Sequence, residues 1–409
     1  MKIKLSILFI LLSYTQINAC TMYKITLFGK TFVGNNEDNW NPNARIWFEK
    51  GKFAEYGSVF VGSDTLYAQG GMNEKGLAFD GFSIKKLYCS KKPNKIAFYY
   101  DIVKDVLKKC QNIDEVYDML FKYDLSIVNG AMLLFVDKTG RYLIVEPDTM
   151  IKGNDDKYLL SNFRPSTTTD LNSVPLPAYQ RGRKMLNINV DTSLIYMKSL
   201  SETLCAKGMS STIYTSIYNI NEGLIYLYLY HNYKQHCTFN LKDELAKGDH
   251  VLNIASLFQP NAEYEKFRSY KTLHNDDGLL SIFIFCALLF SFSSIFFLFS
   301  FFRNRKITNE TNNRYSKVKL LLSAFDVLLL YYVVTLVRNE IIFYYPIQYI
   351  ASYIPFLMLL LIYSLFRWNY KSFGTQSWTK FSNWLFALNN LSYLTLLVLF
   401  FYWLSYRIF

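Results

Sequence analysis

The chain has 409 residues, of which 51% are hydrophobic and 18% aromatic, and its formal net charge is +12. This length exceeds one ordinary domain, so the chain can hold a folded domain and a separate apolar region. Residues 279–409 contain 11 of the Lys and Arg residues but only 3 of the Asp and Glu residues. Because the positive charge lies mainly among apolar segments, the basic balance does not indicate a nucleic-acid-binding protein.

The first 19 residues have the pattern of a secretory signal peptide. Lys2 and Lys4 give a basic start, and an apolar run too short to span a bilayer follows them. Polar residues then lead to the small residue Ala19, which suits cleavage by signal peptidase. The sequence therefore predicts that Cys20 is the first residue of the mature, exported chain.

An N-terminal cysteine carries its own base. The reference pKa of a free α-amine is about 7.7 to 8.0, so the amine of Cys20 can take the thiol proton without a histidine. The leader alone leaves two alternatives open. Cys20 can be an ordinary thiol or disulfide partner near the cleavage site, or the acylated cysteine of a lipoprotein, although Asn18 fits a lipoprotein signal poorly.

The next region, residues 20–258, consists of short β-prone segments interrupted by turns and a few helical segments, and residues 259–278 form a polar connector. Strands are predicted over residues 22–27, 31–34, 131–136, 142–145 and 223–230. Helices are predicted over residues 102–110, 113–122 and 242–246. This mixture indicates an α+β domain with antiparallel sheet.

A polar run, Asn35-Asn36-Glu37-Asp38, ends the second strand of the opening hairpin. Since the hairpin folds back towards its start, Asp38 is expected close to the N-terminal amine of Cys20, where its carboxylate can orient the amine and hold the thiol. The alternative interpretation of these four residues alone is a solvated turn.

Four segments together resemble the choloylglycine hydrolase and penicillin V acylase family of N-terminal-nucleophile hydrolases, which includes the acyl-CoA:6-aminopenicillanic acid acyltransferase branch. They are Cys20-Thr21, Gly34-Asn-Asn-Glu-Asp38, Gly71-Met-Asn-Glu-Lys-Gly-Leu77 and Leu160-Ser-Asn162-Phe163. The resemblance covers nearly all of residues 20–258 and none of the apolar C-terminal region. It implies an αββα sandwich with the freed cysteine at the end of a central strand.

The resemblance also implies a role for each matching residue. Cys20 is the expected nucleophile and, through its amine, the base, and Asp38 matches the aspartate beside it. Asn162 matches the asparagine whose side-chain amide helps form the oxyanion hole. Ser83 lies where bile-salt hydrolases carry another asparagine, whose backbone N–H is the second donor. The implied reaction cleaves a linear amide of an N-acylated small molecule through a thioester, without a metal or a cofactor.

Two positions depart from the family pattern. Asn35 stands where bile-salt hydrolases have arginine, and Tyr214 follows a serine pair after which they have another arginine. Both departures weaken bile-salt or penicillin specificity, and both residues remain candidates for contact with the substrate. Two other functions stay open, namely an acyltransferase of the same fold and a catalytically silent domain that senses an amide ligand or accompanies a transport process.

The C-terminal region is predicted to cross a membrane four times, over about residues 279–302, 320–337, 341–366 and 381–406. Basic residues cluster after the first and third spans, and by the positive-inside rule both of these loops are cytoplasmic. The domain that begins at Cys20 is therefore expected outside the cytoplasm, either periplasmic or extracellular, which agrees with the leader. The bilayer is the expected partner of this region.

Three intramembrane residues are polar enough to need partners. Asp326 in the second span and Asn389-Asn390 in the fourth are costly in lipid, so they are expected to face one another or a polar interior. Packing between helices is the favoured interpretation, and a role in transport or signalling is the alternative.

The remaining cysteines suit an exported domain. Four of them could form two disulfides, with three possible pairings that the sequence does not decide. They are Cys89, Cys110, Cys205 and Cys237.

Overall fold

The computed structural model describes residues 20–39, 41–99, 101–188, 190–207, 211–269, 271, 273, 276–304, 310–338, 353–373 and 378–402. The predicted signal peptide lies outside these residues. The described residues divide into two compact units, one formed by residues 20–269 and the other by those from 271 to 402.

The first unit is rich in β-strands, which run antiparallel in its two large sheets. In chain order they are β1 Thr21–Leu27, β2 Lys30–Asn39, β3 Ala44–Glu49, β4 Ser58–Ser63, β5 Ala68–Asn73, β6 Ala78–Ser83, β7 Ile96–Ala97, β8 Tyr123–Asp124, β9 Ala131–Val136, β10 Tyr142–Val145, β11 Met150–Gly153, β12 Lys157–Ser161, β13 Ser211–Asn219, β14 Leu224–Leu229, β15 Cys237–Asn240 and β16 His250–Asn253. One sheet has the order β12-β1-β2-β13-β14-β15, a second has the order β11-β10-β9-β6-β5-β4-β3-β16, and β7 pairs with β8.

The helices of this unit are short. They are α1 Ile102–Lys109, α2 Ile113–Leu120, α3 Pro177–Leu186, α4 Leu194–Leu204, α5 Leu241–Ala246 and α6 Ala262–Arg268, with 3-10 turns at Leu125–Val128, Pro165–Thr167, Leu171–Ser173 and Ile254–Leu257. The three predicted helices and the mixed helix-and-sheet organisation are thus confirmed. Residues 262–268, predicted to lie in a polar connector, instead form α6, whose Tyr264 hydroxyl donates a hydrogen bond of 2.8 Å to Pro42 O.

Both large sheets are buried on both faces. Met22 and Val33 of the first sheet pack with Ile46 and Leu134 of the second in one central core. The outer face of the second sheet is covered by α1 and α2, and the outer face of the first by α3 and α4. This double coverage explains why all 9 residues of β13 are buried, where a sheet with one wet face would show alternation.

The polar run after the second predicted strand is part of that strand. β2 continues to Asn39, and Asn35, Asn36 and Glu37 are only 1%, 1% and 4% exposed. The alternative of a solvated turn is therefore wrong. These polar groups are buried because β2 lies inside the sheet, between β1 and β13.

The second unit contains the long helices α7 Asp277–Asn304, α8 Glu310–Arg338, α9 Ile354–Ser372 and α10 Lys380–Tyr402. Among the described residues, three helical segments are long and apolar enough to cross a membrane, Asp277–Arg303, Lys317–Val337 and Lys380–Tyr402. They correspond to the first, second and fourth predicted spans.

The third predicted span, residues 341–366, does not appear among these segments. Its first part lies outside the described residues, and α9 begins only at Ile354. The last turns of α9 are polar and include Arg367 and Lys371. The described part of this helix is therefore too polar for its length to be a candidate membrane span. The described residues therefore support three of the four predicted spans, and the start of the third lies outside them.

The polar residues of the spans meet as expected. Asn389 Nδ2 of α10 donates a hydrogen bond of 3.0 Å to Asp326 Oδ2 of α8. Tyr393 donates its hydroxyl hydrogen to the other carboxylate oxygen. Asn390 does not join this pair, because its amide donates to Leu365 O in α9 at 3.5 Å. The prediction that Asp326 and Asn389 face one another is confirmed.

The predicted disulfides are absent from the described residues, where Cys89, Cys110, Cys205 and Cys237 are all free thiols. Three of these thiols lie in different layers. Cys110 belongs to the core under α1 and α2, Cys205 packs with the core under α3 and α4, and Cys237 packs against the central core. Thiols separated by a sheet cannot reach one another across the short distance that a disulfide spans.

Candidate active site

Cys20 lies immediately before β1, at one end of the first sheet. Thr21 is paired with Ser161 of β12 on one side and with Asn36 of β2 on the other. Because both pairings are antiparallel, the residue before Thr21, Cys20, lies beside Asn162 on one side and Glu37 on the other. Ser161 Oγ donates a hydrogen bond of 2.9 Å to Cys20 O, which holds the start of β1 against β12.

The thiol and the backbone of Asp38 are in contact. Cys20 Sγ donates to Asp38 O at 3.6 Å, so the described contact is to the backbone oxygen. The Asp38 carboxylate accepts a hydrogen bond of 2.6 Å from Thr212 Oγ1. Thr212 Oγ1 in turn accepts the backbone N–H of Ala206 at 2.9 Å. The Asp38 side chain of β2 is thus connected through Thr212 of β13 to Ala206, which precedes β13.

Asn162 connects the two sheets beside the cysteine. Its Nδ2 donates a hydrogen bond of 2.7 Å to Ser83 O at the end of β6. A side-chain amide has two N–H bonds, so one remains for another acceptor. The following residues are anchored by Arg164, whose Nε donates to buried Glu146 at 2.6 Å. Cys20, Asp38, Asn162 and Ser83 are therefore brought to one end of the sandwich.

The two candidates for substrate contact lie slightly deeper, between the sheets. Asn35 is two residues before Glu37 on β2, and Tyr214 is paired with Glu37 from β13. Each is 1% exposed. Neither the Asn35 amide nor the Tyr214 hydroxyl has a hydrogen-bond partner among the described residues.

Three further polar residues at this place were missed by the sequence analysis. Glu37 accepts a hydrogen bond from Gln69 Nε2 of β5, which crosses from one sheet to the other. Asp80 of β6 is 1% exposed, and neither carboxylate oxygen has a hydrogen-bond partner among the described side chains and backbone. Strand alternation could have found both carboxyls, because Glu37 shares a face with Val33 and Asp80 shares one with Phe82.

These groups change one another's acidity. Burial, and then the charges of Glu37 and Asp38, raise the pKa of the Cys20 thiol well above its ordinary value. Burial raises the pKa of Glu37 to about 8. Burial, followed by the charge of Glu37, raises the pKa of Asp80 well above its ordinary value. At neutral pH, with the chain uncut before Cys20, the thiol and the Glu37 carboxyl therefore tend to keep their protons, and Asp80 loses its proton less readily than an ordinary aspartate.

The arrangement supplies a thiol, an amide donor beside it and several carboxyls. Within the described ranges, no group of three or more His, Cys, Asp and Glu side chains is placed to hold a metal ion. A thiol next to an amide N–H suits attack on a carbonyl carbon, because the N–H can stabilise the oxygen that becomes negative.

The sequence matches no protein-family profile and no curated protein. Among solved structures, the chain is similar to a mutant of conjugated bile acid hydrolase from Clostridium perfringens, with 18% identity and a TM-score of 0.45 over 59% of this chain and 97% of that one. It is also similar to penicillin V acylase from Agrobacterium tumefaciens, with 15% identity and a TM-score of 0.43 over 51% of this chain and 82% of that one.

Proposed function

We propose that the protein is a membrane-anchored, extracytoplasmic hydrolase that cleaves a linear amide bond of an N-acylated small molecule, with Cys20 as an N-terminal nucleophile. The observation that carries this proposal is the position of Cys20. Its thiol lies at the start of β1 and contacts Asp38 O, and Asn162 directly follows Ser161, the β12 residue that is paired with Thr21. The motif order in the sequence supports the same reaction.

The reaction begins when the thiol sulfur attacks the carbonyl carbon of the amide and the thiol proton passes to the Cys20 amine. The carbonyl oxygen becomes an oxyanion, and an N–H of Asn162 stabilises it. The C–N bond then breaks, the leaving amine takes the proton, and the acyl group remains on sulfur as a thioester. Water attacks the thioester, which releases a carboxylic acid and restores the thiol.

Cleavage before Cys20 is essential to this chemistry. The raised pKa of the uncut Cys20 thiol means that little thiolate forms at neutral pH. A freed α-amine supplies a base on the same residue, and its protonated form offsets the nearby carboxylates. The leader therefore keeps the nucleophile inactive until the chain has been exported and cut.

The membrane anchor and the location outside the cytoplasm are part of the proposal. They rest on the leader pattern, on the basic residues that follow the first and third predicted spans, and on the three described helices that are apolar enough to cross a bilayer. The four layers of the first unit suit the proposed N-terminal-nucleophile fold.

The test uses the full-length protein, purified from membranes in detergent. N-terminal sequencing should begin at Cys20, and a panel of fluorogenic N-acyl amides should be hydrolysed. Cys20→Ala should abolish turnover, and mass spectrometry of the wild type should show an acyl adduct on Cys20. Cys89→Ser, which removes another half-buried thiol of the same unit, is the matched control and should keep full activity.

Three results would overturn the proposal: a mature N-terminus elsewhere, a lipid on Cys20, or hydrolysis that survives in Cys20→Ala. Transfer of the acyl group to an added amine in preference to water would identify the acyltransferase alternative. Saturable binding of amides by a correctly cut chain that never forms the thioester would identify the sensor alternative.

A further inference from the structure

Four inward-facing side chains, which we call the inter-sheet polar cluster, lie in the central core next to Cys20. They are Asn35, Glu37, Asp80 and Tyr214, and none is more than 4% exposed. Apolar side chains of the central core adjoin it on the same strands, for example Val33 beside Asn35 and Phe82 beside Asp80. The cluster therefore places polar groups within the central core beside the nucleophile.

Most polar atoms of the cluster are unsatisfied. Both amide atoms of Asn35, both carboxylate oxygens of Asp80 and the hydroxyl of Tyr214 have no hydrogen-bond partner among the described residues. A buried polar group without a partner costs about 1–3 kcal/mol. These groups belong to three different strands and face the core between the two sheets. Their shared lack of partners indicates a place for a polar group from outside the chain.

The cluster is also acidic without a matching cation. Glu37 and Asp80 form no ion pair with a described Lys or Arg side chain, although such pairs occur elsewhere in this unit. Tyr214 of β13 is paired with Glu37 of β2. Burial, followed by the charges of Glu37 and Asp80, raises the pKa of the Tyr214 hydroxyl. A freed Cys20 amine can add at most one positive charge, whereas Glu37, Asp38 and Asp80 all act on the Cys20 thiol.

We infer that the inter-sheet polar cluster binds a cationic amino group carried by the amide substrate, so that the enzyme acts on acyl amides bearing an ammonium or guanidinium group. This inference rests on the proposed function, since it assigns the substrate class of the same site. Glu37 and Asp80 accept N–H bonds of the cation, and Asn35 Oδ1 and the Tyr214 oxygen accept others. An ammonium has three N–H donors and no acceptor, which matches a cluster that consists mainly of acceptors.

The first test compares matched substrates of the full-length protein. The aminocoumarin amides of aminohexanoic, hydroxyhexanoic and heptanoic acid differ only in a terminal ammonium, hydroxyl or methyl group. We expect kcat/KM for the ammonium substrate to exceed that of both neutral substrates by about tenfold or more, since charge-assisted hydrogen bonds are the stronger ones. Equal values for the three would overturn the inference.

The second test changes the cluster. Asp80→Asn removes one acidic group with little change in shape and should bring the ratio of ammonium to methyl substrate close to one. The matched control is Asp124→Asn, because Asp124 is also buried but is satisfied by the N–H groups of Ser126 and Lys92. The control should keep the wild-type ratio. A ratio that Asp80→Asn leaves unchanged would contradict the inference.

The third test needs no turnover. Butylammonium chloride is titrated into full-length Cys20→Ala protein by calorimetry at neutral pH, in two buffers with different heats of ionisation. A cation lowers the pKa of a nearby carboxyl, so binding should release protons, and Asp80→Asn should reduce that release. Absence of binding, or equal binding of butanol, would refute the site.

Failures of the two proposals are distinguishable. If the methyl substrate is hydrolysed in a Cys20-dependent way and no substrate preference appears, the cationic site is wrong and the hydrolase stands. If butylammonium binds with proton release but no amide is ever cleaved, the cationic site stands and the hydrolase is wrong.

Discussion

Ser161 Oγ donates a hydrogen bond of 2.9 Å to the carbonyl oxygen of Cys20, and the residue after Ser161 is Asn162. Thr21 and Ser161 form the terminal pair of β1 and β12. The proposed nucleophile, Cys20, and the proposed oxyanion donor, Asn162, each lie one residue beyond this pair. Neighbouring strands lie about 4.8 Å apart. The sheet itself thus sets the distance between the two groups, and the Ser161 hydroxyl prevents the end of β1 from fraying.

Ser161→Ala should lower kcat by about tenfold with a smaller change in KM, because the nucleophile loses its anchor while the substrate site remains. A buried hydrogen bond contributes about 1 kcal/mol to stability, so the unfolding midpoint should fall only slightly. Kinetics and thermal unfolding of the full-length protein measure both effects. Ser199→Ala is the control, because Ser199 Oγ also donates to a backbone oxygen at 2.9 Å but lies in α4. An equal kcat loss in both variants would contradict this role.

Asn162→Ala should reduce kcat by about a hundredfold or more, since loss of one oxyanion donor typically costs about 3 kcal/mol of barrier. KM should change little, because the negative oxygen develops mainly in the transition state. The amide also joins the sheets through Ser83 O, so the unfolding midpoint must be measured alongside. A rise in KM with normal kcat would show a binding role and not an oxyanion role.

Glu37→Gln should make the first unit less sensitive to alkaline pH. Burial raises the pKa of Glu37 to about 8 in the folded chain, whereas an unfolded glutamate has a pKa of about 4.3. The folded state therefore holds a proton that the unfolded state lacks between these values. The contribution of Glu37 to stability is fully present below the unfolded pKa and is lost as the pH rises through about 8.

Hydrogen–deuterium exchange of β2 and β13 peptides, measured in the full-length protein at matched pH for wild type and variant, reports this effect. Protection of the variant relative to wild type should increase from pH 5 to pH 8. Cys20, Asp38, Asp80 and Tyr214 face Glu37 and titrate too, but they remain in both proteins. A difference between variant and wild type that does not vary with pH would mean that Glu37 is ionised in both states.

The sequence predicted the proximity of the candidate site residues better than the burial of their neighbours. Cys20, Asp38 and Asn162 were predictable because each lies in a short motif, and hairpin geometry brings β1 and β2 together without long-range information. The glycine at position 34 of the same motif is also explained locally, because a Cβ atom there would lie 2.2 Å from the Tyr23 ring. Glu37 was not predicted as a buried carboxyl because it lies in a hydrophilic run, which normally marks solvent, and Asp80 was not because a single carboxyl among apolar residues forms no motif. Only the packing of the two sheets against each other shows that their side chains are buried.

The same distinction holds elsewhere in the chain. The partners Asp326 and Asn389 were predictable because lipid leaves a polar side chain few alternatives. The free state of the four cysteines was not predictable. An even number of thiols suggests disulfides, whereas the layer in which each thiol lies depends on the topology of the whole unit. The predicted third span is not confirmed, because its described part, α9, ends in polar residues and its first part lies outside the described residues.

Glu146→Gln should destabilise the segment that follows Asn162. Glu146 is fully buried and accepts hydrogen bonds from Arg164 Nε at 2.6 Å and from Ser166 N at 3.0 Å. Breaking a buried ion pair by neutralising one partner costs about 3–5 kcal/mol, so the unfolding midpoint should fall clearly and kcat should fall with it. Asp148→Asn removes the exposed partner of the same arginine and should cost less than about 1 kcal/mol. Equal losses in the two variants would contradict the importance of burial.

Asp326→Ala should weaken the packing of α8 against α10, because it removes the acceptor of both Asn389 and Tyr393. Hydrogen bonds between membrane helices contribute about 0.6 kcal/mol on average and at most about 1.7, so a loss of this size is expected in detergent unfolding of the full-length protein. Asp326→Asn keeps an acceptor oxygen and should lose less. Thr335→Ala is the control in the same helix, because the Thr335 hydroxyl donates its hydrogen bond within α8, to Tyr331 O at 2.6 Å.

If packing is the only role of Asp326, Asp326→Asn keeps normal amide hydrolysis in vesicles. A variant that unfolds like wild type but loses hydrolysis would instead show that the carboxylate of the second unit takes part in the activity of the first.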